Sequence, residues 1–185
     1  MDAGALRDRE IVSVQEAHRL GKVREVLFET QPLRVAALKA SGDEGEFIIA
    51  LDRVSRFGPD AVMVESPSVR EIARGARDNE RTLDELTHLK VVDEDGRSLG
   101  TVRSIEFDPD SGAVERIIAG ESGMLGMGGM KATIQASGIR GVGTDLLTVA
   151  SSADNGEGTH LGTRDIGVRG DDEAATGTHG RAGAE

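Results

Sequence analysis

The chain has 185 residues, enough for one ordinary domain or two small ones. It contains no Cys, which excludes disulfides, thiolate nucleophiles, cysteine zinc sites and iron–sulfur clusters. Its formal net charge of −11 argues against a protein that grips nucleic-acid phosphates directly.

Aromatic residues make up 2% of the chain, so the core must consist mainly of Val, Ile, Leu, Met and Ala. The first ten residues are polar and charged, unlike a signal peptide. No run approaches the roughly 18 apolar residues that a membrane-spanning helix needs. These features predict a cytoplasmic protein that does not insert into a membrane.

The sequence repeats itself. Residues 20–28 resemble residues 99–107, an offset of 79 that becomes 85 further along the chain. The six additional residues lie between Gly120 and Met130. A repeat whose spacing changes at one place indicates a duplicated unit in which one loop is longer.

Each unit predicts five short strands, separated by turn residues such as Gly, Pro and Asp. The predicted strands of the first unit are residues 11–14, 22–29, 33–40, 47–51 and 61–64. Those of the second are residues 89–93, 101–108, 113–119, 132–136 and 146–149.

The second predicted strand changes face within its length. Val23 lies on one face and Val26 on the other, and Val102 and Ile105 repeat this pattern. A β-bulge produces such a change, and small barrels need bends of this kind to close. Because units of about 60 residues bury too little surface to be stable alone, we expect the two to pack on each other or on a second chain.

The segment between the units predicts a helical connector. Pro67 suits a first helical position, and apolar residues at helical spacing predict a helix over 68–77. Ser68 with Glu71 and Thr82 with Glu85 have capping-box spacing, and a short helical turn is expected over 83–87.

Residues 151–185 differ in composition from the rest of the chain. They are acidic and Gly-rich, and Leu161, Ile166 and Val168 are their only large apolar residues. Too little apolar surface is present to offset the entropy of ordering, so we predict a disordered tail.

The second unit resembles a PRC-barrel domain. Its motifs are Leu99-Gly100-x-Val102, Ile105-x-Phe107-Asp108, Ser111-Gly112 and Ile117-Ile118, followed by the Gly/Met-rich run and Val142-Gly143-x-Asp145. The first unit resembles it more weakly, through Leu20-Gly21-x-Val23 and Phe57-Gly58-Pro59-Asp60.

The resemblance implies a mainly β protein of two tandem small PRC-type β-barrels, each of five or six strands. The repeats would cover residues 10–65 (divergent) and 86–150, joined by the connector 66–85 and followed by the tail 151–185. The family occurs in the reaction-centre H subunit and in the C-terminal domain of a ribosome maturation factor. It implies contact with other proteins and no catalytic residues.

The Gly/Met loop at residues 123–131 is the most distinctive motif. It lacks the Gly-Lys-Ser/Thr step of a phosphate-binding loop. We favour a loop that folds over its own barrel end, with Met and Leu side chains in the core. The functional alternative is an adaptable apolar contact surface, since Met is flexible and polarisable. Its candidate partner-contact residues are Met124, Leu125, Met127 and Met130.

No catalytic, cofactor or metal site is predicted. The acidic stretches 93–96 and 108–112 match only part of a calcium-binding loop and are explained by hairpin turns. His18, His88, His160 and His179 form no ligand pair at helical spacing.

We therefore predict a non-catalytic protein–protein interaction or adaptor module, with protein partners and self-association into a homodimer, and without direct nucleic-acid binding. Two alternatives remain: an RNA-processing or ribosome-assembly accessory factor, and a small-ligand or metal-binding protein.

Overall fold

The computed structural model describes residues 1–74, 77–120 and 131–151, and these residues form mainly β-strands in two curved sheets. The predicted tail, apart from Ser151, and the Gly/Met loop, apart from Lys131, lie outside the described residues. Within the described ranges, none of the helices has the length and apolar character to cross a membrane.

The first sheet has the strand order β5-β6-β1-β2-β3-β4-β7, and β8 is added on β2. Its strands are β1 (Glu10–Ser13), β2 (His18–Thr30), β3 (Leu33–Gly42), β4 (Gly45–Ala50), β5 (Val54–Phe57), β6 (Ala61–Val64), β7 (Glu71–Ile72) and β8 (Glu80–Thr82).

The second sheet has the strand order β12-β11-β10-β9-β14-β13. Its strands are β9 (Lys90–Asp93), β10 (Ser98–Phe107), β11 (Val114–Gly120), β12 (Lys131–Gln135), β13 (Ile139–Val142) and β14 (Leu146–Val149).

The six strands of the second sheet repeat β1 to β6 of the first in order and direction. In both, the last strand pairs parallel with the first, and the other neighbours are antiparallel. The register follows the sequence offsets, since Leu38 pairs with Ile49 and Ile117 pairs with Ile134. The lengthened loop lies in one hairpin: four residues separate the pair Ser41 and Glu46, whereas ten separate Gly120 and Lys131.

Both β2 and β10 contain a β-bulge at the same place in the repeat. The register with the next strand shifts between Val23 and Glu25 in β2 and between Val102 and Ser104 in β10. Val23 and Val26 are three positions apart, so in a regular strand they would face opposite sides of the sheet. The extra residue at the bulge lets both enter the core. The bulge predicted from the apolar pattern is confirmed.

The predicted strands correspond to β1–β4, β6, β9–β12 and β14, with ends that differ by at most four residues. The prediction missed β5 and β13, which are short, half exposed and separated from the preceding strand by only one 3-10 turn. That single turn is a corner at which the chain changes direction. It also missed β7 and β8 within the connector.

The helix predicted over 68–77 is wrong. Pro67–Val69 forms a 3-10 turn, with Pro67 at its start, and Glu71–Ile72 is a strand paired with β4. Ile72 is one of the apolar residues whose spacing predicted a helix. It is 93% exposed and does not pack on the core. Pairing with the free edge of β4 decides the local structure instead.

The second helical turn is confirmed as α1 (Leu83–Thr87). Thr82 accepts a hydrogen bond from the Glu85 N–H at 3.1 Å, and Glu85 accepts from the Thr82 N–H at 2.7 Å. This is the predicted capping box, and it satisfies two backbone donors at the start of the helix. Leu83 and Leu86 of α1 are buried.

The N-terminal segment of the chain pairs with the second sheet. The Ala3 N–H donates to the Ile105 carbonyl at 2.9 Å, and the Phe107 N–H donates to the Met1 carbonyl at 2.8 Å. Asp2 lies opposite Glu106 in an isolated antiparallel bridge. We call residues 1–6 the first arm.

The segment that precedes the second unit pairs with the first sheet at the equivalent place. Thr82 of β8 lies opposite Leu27 of β2, and Leu27 corresponds to Glu106 at the offset of 79. We call residues 80–87, which comprise β8 and α1, the second arm. Each unit therefore receives the arm of the other, in a reciprocal exchange typical of two-fold symmetric pairs.

The two units share one hydrophobic core. A single cluster of buried apolar residues runs from Ala3 to Val149 and includes Phe28 of β2, Phe107 of β10 and Leu86 of α1. At the boundary, the rings of Phe57 and Phe107 meet edge to face, with centroids 5.9 Å apart. The expectation that the units pack on each other is confirmed.

Candidate functional site

The predicted partner-contact residues Met124, Leu125, Met127 and Met130 all lie outside the described residues. The structure does describe where their loop begins and ends, because Gly120 of β11 pairs with Lys131 of β12. The Gly120 carbonyl accepts hydrogen bonds from the Arg103 Nε at 3.2 Å and from the Thr101 hydroxyl at 3.4 Å. The loop thus joins β11 and β12 at a well-held hairpin end.

β12 forms an edge of the second sheet. It pairs with β11 on one side, and no strand within the described ranges pairs with its other side. Thr133 and Gln135 are exposed, whereas Ile134 is buried in the core. The backbone of β12 therefore presents donors and acceptors at an edge that a further strand could extend.

The corresponding edge of the first sheet is covered. Phe47 and Ile48 of β4 lie opposite Ile72 and Glu71 of β7. Arg70, beside β7, pairs with the Glu44 carboxylate at 2.7 Å, and its guanidinium lies 5.6 Å from the centre of the Phe47 ring.

At the offset of 85, Ala132 of β12 takes the place of Phe47. At this position β12 therefore has no ring against which a cation could anchor such a strand. Sequence comparison of the repeats could have shown this difference, but not that it lies at a sheet edge.

A cleft of about 460 Å³ lies between the two units. One wall is the β2–β3 hairpin with Pro32 and Leu33, and the other is the corner between β12 and β13 together with β13 itself. The apolar lining side chains are Pro32, Leu33, Ala113, Val114, Ala136, Ile139 and Val142, and Thr30, Gln31 and Arg140 are polar. Its volume is within the range of small-molecule and side-chain pockets. Nothing in the sequence singled it out, because its walls are far apart along the chain.

The carboxylates of the acidic turns accept hydrogen bonds from within their own turns. The Asp93 Oδ1 accepts hydrogen bonds from the backbone N–H groups of Asp95 and Arg97, at 3.0 and 2.8 Å. The Asp108 Oδ1 accepts from the N–H and the hydroxyl of Ser111, and the N–H bond in particular lowers the pKa of Asp108. In the described part of the chain, no three His, Asp or Glu side chains are grouped as metal ligands.

The most strongly held carboxylate is structural. Glu80 of β8 is 2% exposed and accepts two hydrogen bonds from the Arg74 guanidinium, at 2.8 and 3.0 Å. It also accepts from the Arg77 N–H at 2.9 Å. These bonds, those from Arg74 first, hold the pKa of Glu80 below its ordinary value. The arrangement fixes β8 on the first sheet rather than presenting a group for chemistry.

The two exposed histidines within the described ranges lie apart. The His88 Nδ1 is 2.6 Å from the Asp84 carbonyl at the end of α1. His18 lies at the start of β2, beside a shallow pocket lined by charged residues. Among the described residues, neither histidine is hydrogen-bonded to a nucleophilic side chain.

Comparison with known families gives a result for the second unit. Residues 78–154 match the family model of the PRC-barrel domain, a range that contains β8, α1 and the whole second sheet. A comparison with curated proteins found no match. The motifs, the sheet topology and the family model agree on a PRC-barrel domain at residues 78–154.

Proposed function

We propose that this protein is a non-catalytic interaction module of the cytoplasm, which binds protein partners through its second barrel. The first unit, on this proposal, is a divergent PRC-type barrel that supports the second. A PRC-barrel domain is compatible with such a role, and the net charge of −11 disfavours direct contact with nucleic acid.

The observation that carries the proposal is the edge of β12, which no strand of the described residues covers. In the first unit the same edge is covered by β7 of the same chain, so this fold accepts an additional strand at that place. The uncovered edge also begins directly after the Gly/Met loop. A partner strand added to β12 would gain main-chain hydrogen bonds from the edge and apolar contact from the loop.

The test is affinity capture from the native cell with a tagged full-length chain, followed by reconstitution with the purified partner. We expect Thr133→Lys to weaken the reconstituted complex about tenfold, because a lysine on an exposed edge strand opposes strand addition. The triple change of Met124, Met127 and Met130 to Ser should also weaken it.

The matched control is Thr148→Lys. Thr148 is exposed like Thr133, but it lies on β14, which has β9 and β13 on its two sides. The control should bind as the unaltered chain does. Equal binding by the Thr133→Lys and Thr148→Lys proteins would contradict strand addition at β12.

Self-association is tested with the same variants. β12 carries no acidic residue, and an antiparallel pair centred on Thr133 would place Lys131 opposite Gln135 and Ala132 opposite Ile134, without like charges facing each other. If the partner strand belongs to a second copy, light scattering should give a dimer mass that Thr133→Lys reduces to the monomer mass. A monomer mass for the unaltered chain would assign the edge to another protein.

A further inference from the structure

The C-terminal part of the chain repeats the sequence of the strand that covers the first sheet. Residues 70–73 read Arg-Glu-Ile-Ala, and residues 164–167 read Arg-Asp-Ile-Gly. The order Arg, acidic residue, Ile, small residue occurs at these two places in the chain and nowhere else, and an Arg-Gly pair follows closely in both. We call residues 164–167 the tail segment.

The two sequences also stand at equivalent places in the repeat, because each follows the last strand of its own unit. Six residues separate Val64 of β6 from Glu71 of β7, and fifteen separate Val149 of β14 from Asp165. β7 lies antiparallel on the outer edge of β4. β4 corresponds to β12, whose outer edge no strand of the described residues covers. The comparison of the repeats therefore names an occupant for this edge.

The tail begins close enough to β12 to reach it. The Ala150 N–H donates to the Gly138 carbonyl at 2.7 Å, and Gly138 ends the 3-10 corner that directly follows β12. When extended, the thirteen residues 151–163 reach up to about 45 Å. Five strand residues span about 17 Å. The tail segment can therefore lie along β12 of its own chain.

We propose that the tail segment adds to the outer edge of β12 in the free protein, in the register that β7 has on β4. At the offset of 85 between β4 and β12, this register places Ile166 opposite Ala132 and Asp165 opposite Thr133. Main-chain hydrogen bonds supply the affinity, as in other cases of strand addition. The covalent connection raises the concentration of the segment at the edge.

This pairing is expected to be weaker than that of β7 on β4, and therefore reversible. Arg70 pairs with Glu44 and lies over the Phe47 ring, whereas Ala132 offers Arg164 no ring. The connection to the tail segment is also nine residues longer, which lowers the effective concentration. A partner strand can then displace the segment. This regulatory role rests on the proposed function, since it concerns access to the same edge.

The first test is disulfide trapping in the full chain, which contains no other Cys. Ala132→Cys with Ile166→Cys and Thr133→Cys with Asp165→Cys each place two thiols directly opposite, and one of these pairs has the close spacing that a disulfide needs. With copper phenanthroline as oxidant, we expect that pair to form a disulfide within one chain about tenfold faster than the control. The control is Ala132→Cys with Ala174→Cys, which moves one thiol along the tail.

The second test leaves β12 unaltered. Ile166→Pro removes a backbone donor from the tail segment and opposes its addition to a sheet. We expect it to speed hydrogen exchange about tenfold at the β12 amides that point away from β11. It should also tighten binding of the partner about three- to tenfold, because a larger fraction of the chains has an open edge. Ala174→Pro is the matched control and should change neither measurement.

Trapping no faster than in the control, for both pairs, would overturn the inference. Disulfide-linked dimers in place of a linked monomer would overturn it too, since a second copy would then occupy the edge. An Ile166→Pro protein that binds the partner like the unaltered chain would exclude the regulatory role. A partner whose binding Thr133→Lys weakens, without trapping, would refute the docked segment and leave the proposed function intact. Fast trapping with no effect of Thr133→Lys on the partner would do the reverse.

Discussion

Glu80 is a residue whose charge contributes to the fold. It is buried, and the Arg74 guanidinium and the Arg77 N–H hold its carboxylate in β8. Because these bonds favour the ionised form, the pKa of Glu80 lies below its ordinary value of 4.5. A carboxylate whose pKa is lower in the folded chain than in the unfolded chain stabilises the fold above the unfolded value. That contribution is lost as the pH falls through the folded value.

We expect Glu80→Gln to lower the free energy of unfolding by about 2 kcal/mol at pH 7, because the charge-assisted bonds between Glu80 and Arg74 are lost. The difference from the unaltered chain should begin to shrink as the pH falls below 4.5, and it should vanish only below the lower pKa that Glu80 has in the folded chain. Urea unfolding at pH 7 and at pH 4 measures the loss of stability and its dependence on pH.

The control for this prediction is Glu46→Gln. Glu46 pairs with Lys39 at 2.9 Å, but its side chain is 55% exposed, so the substitution should change stability little at either pH. A difference between the Glu80→Gln protein and the unaltered chain that is the same at both pH values would exclude the ionised carboxylate as its cause.

Single residues also show what the sequence could and could not predict. The bulges in β2 and β10 were predictable, because the change of apolar face between Val23 and Val26 is local and occurs in both copies. The cleft was not, although the pairs Leu51 with Ala136 and Phe57 with Val142 are visible once the repeats are aligned. Ala136 and Val142 can be recognised as lining a cleft only when the fold places them against the hairpin of the other unit.

At the scale of elements, local and distant interactions explain the correct and incorrect predictions. The capping box of α1 lies within four residues, and its prediction was correct. The helix predicted over 68–77 rested on spacing alone, and the edge of β4 captured Glu71–Ile72 as a strand instead. β5 and β13 were missed because each holds only a few half-buried residues, too few to show alternation.

The exchanged arms predict matched effects of two leucines. Leu6 and Leu86 are both fully buried and lie at equivalent places in the first and second arms. We expect Leu6→Ala and Leu86→Ala each to lower the free energy of unfolding by about 2–4 kcal/mol, since each leaves a cavity in the shared core. Chemical denaturation measures this.

Leu146→Ala is the comparison, because Leu146 is 43% exposed and its truncation should cost far less. If Leu6→Ala behaved like Leu146→Ala while Leu86→Ala did not, the first arm would contribute little to the core, and the reciprocal exchange would not hold in solution.

For the whole molecule, the shared core predicts cooperative unfolding. Both units contribute to one buried cluster, and each depends on an arm of the other. We expect calorimetry of the full chain to give one transition, with a calorimetric enthalpy equal to the van't Hoff enthalpy. A fragment of residues 78–154, although it matches the family model, should not fold stably, because it lacks the first arm and the apolar surface of the first unit.

Two resolved transitions, or a fragment 78–154 with a cooperative melt of its own, would show instead that the units are independent. Adding a synthetic peptide of residues 1–9 to the fragment distinguishes the two missing parts. A gain in stability with the peptide would identify the arm as the larger loss, and no gain would identify the surface of the first unit.

The fusion of two similar units in one chain has a consequence for symmetry. In an assembly of two identical chains, every substitution appears twice, so both sides of the seam between the units would carry the same side chains. A covalent duplication removes this constraint, since Leu51 and Ala136, which correspond at the offset of 85, are encoded separately. Leu51 lies against Gly112 on one side of the seam, whereas Leu33 and Ala136 line the cleft on the other. The two sides can therefore diverge within one polypeptide.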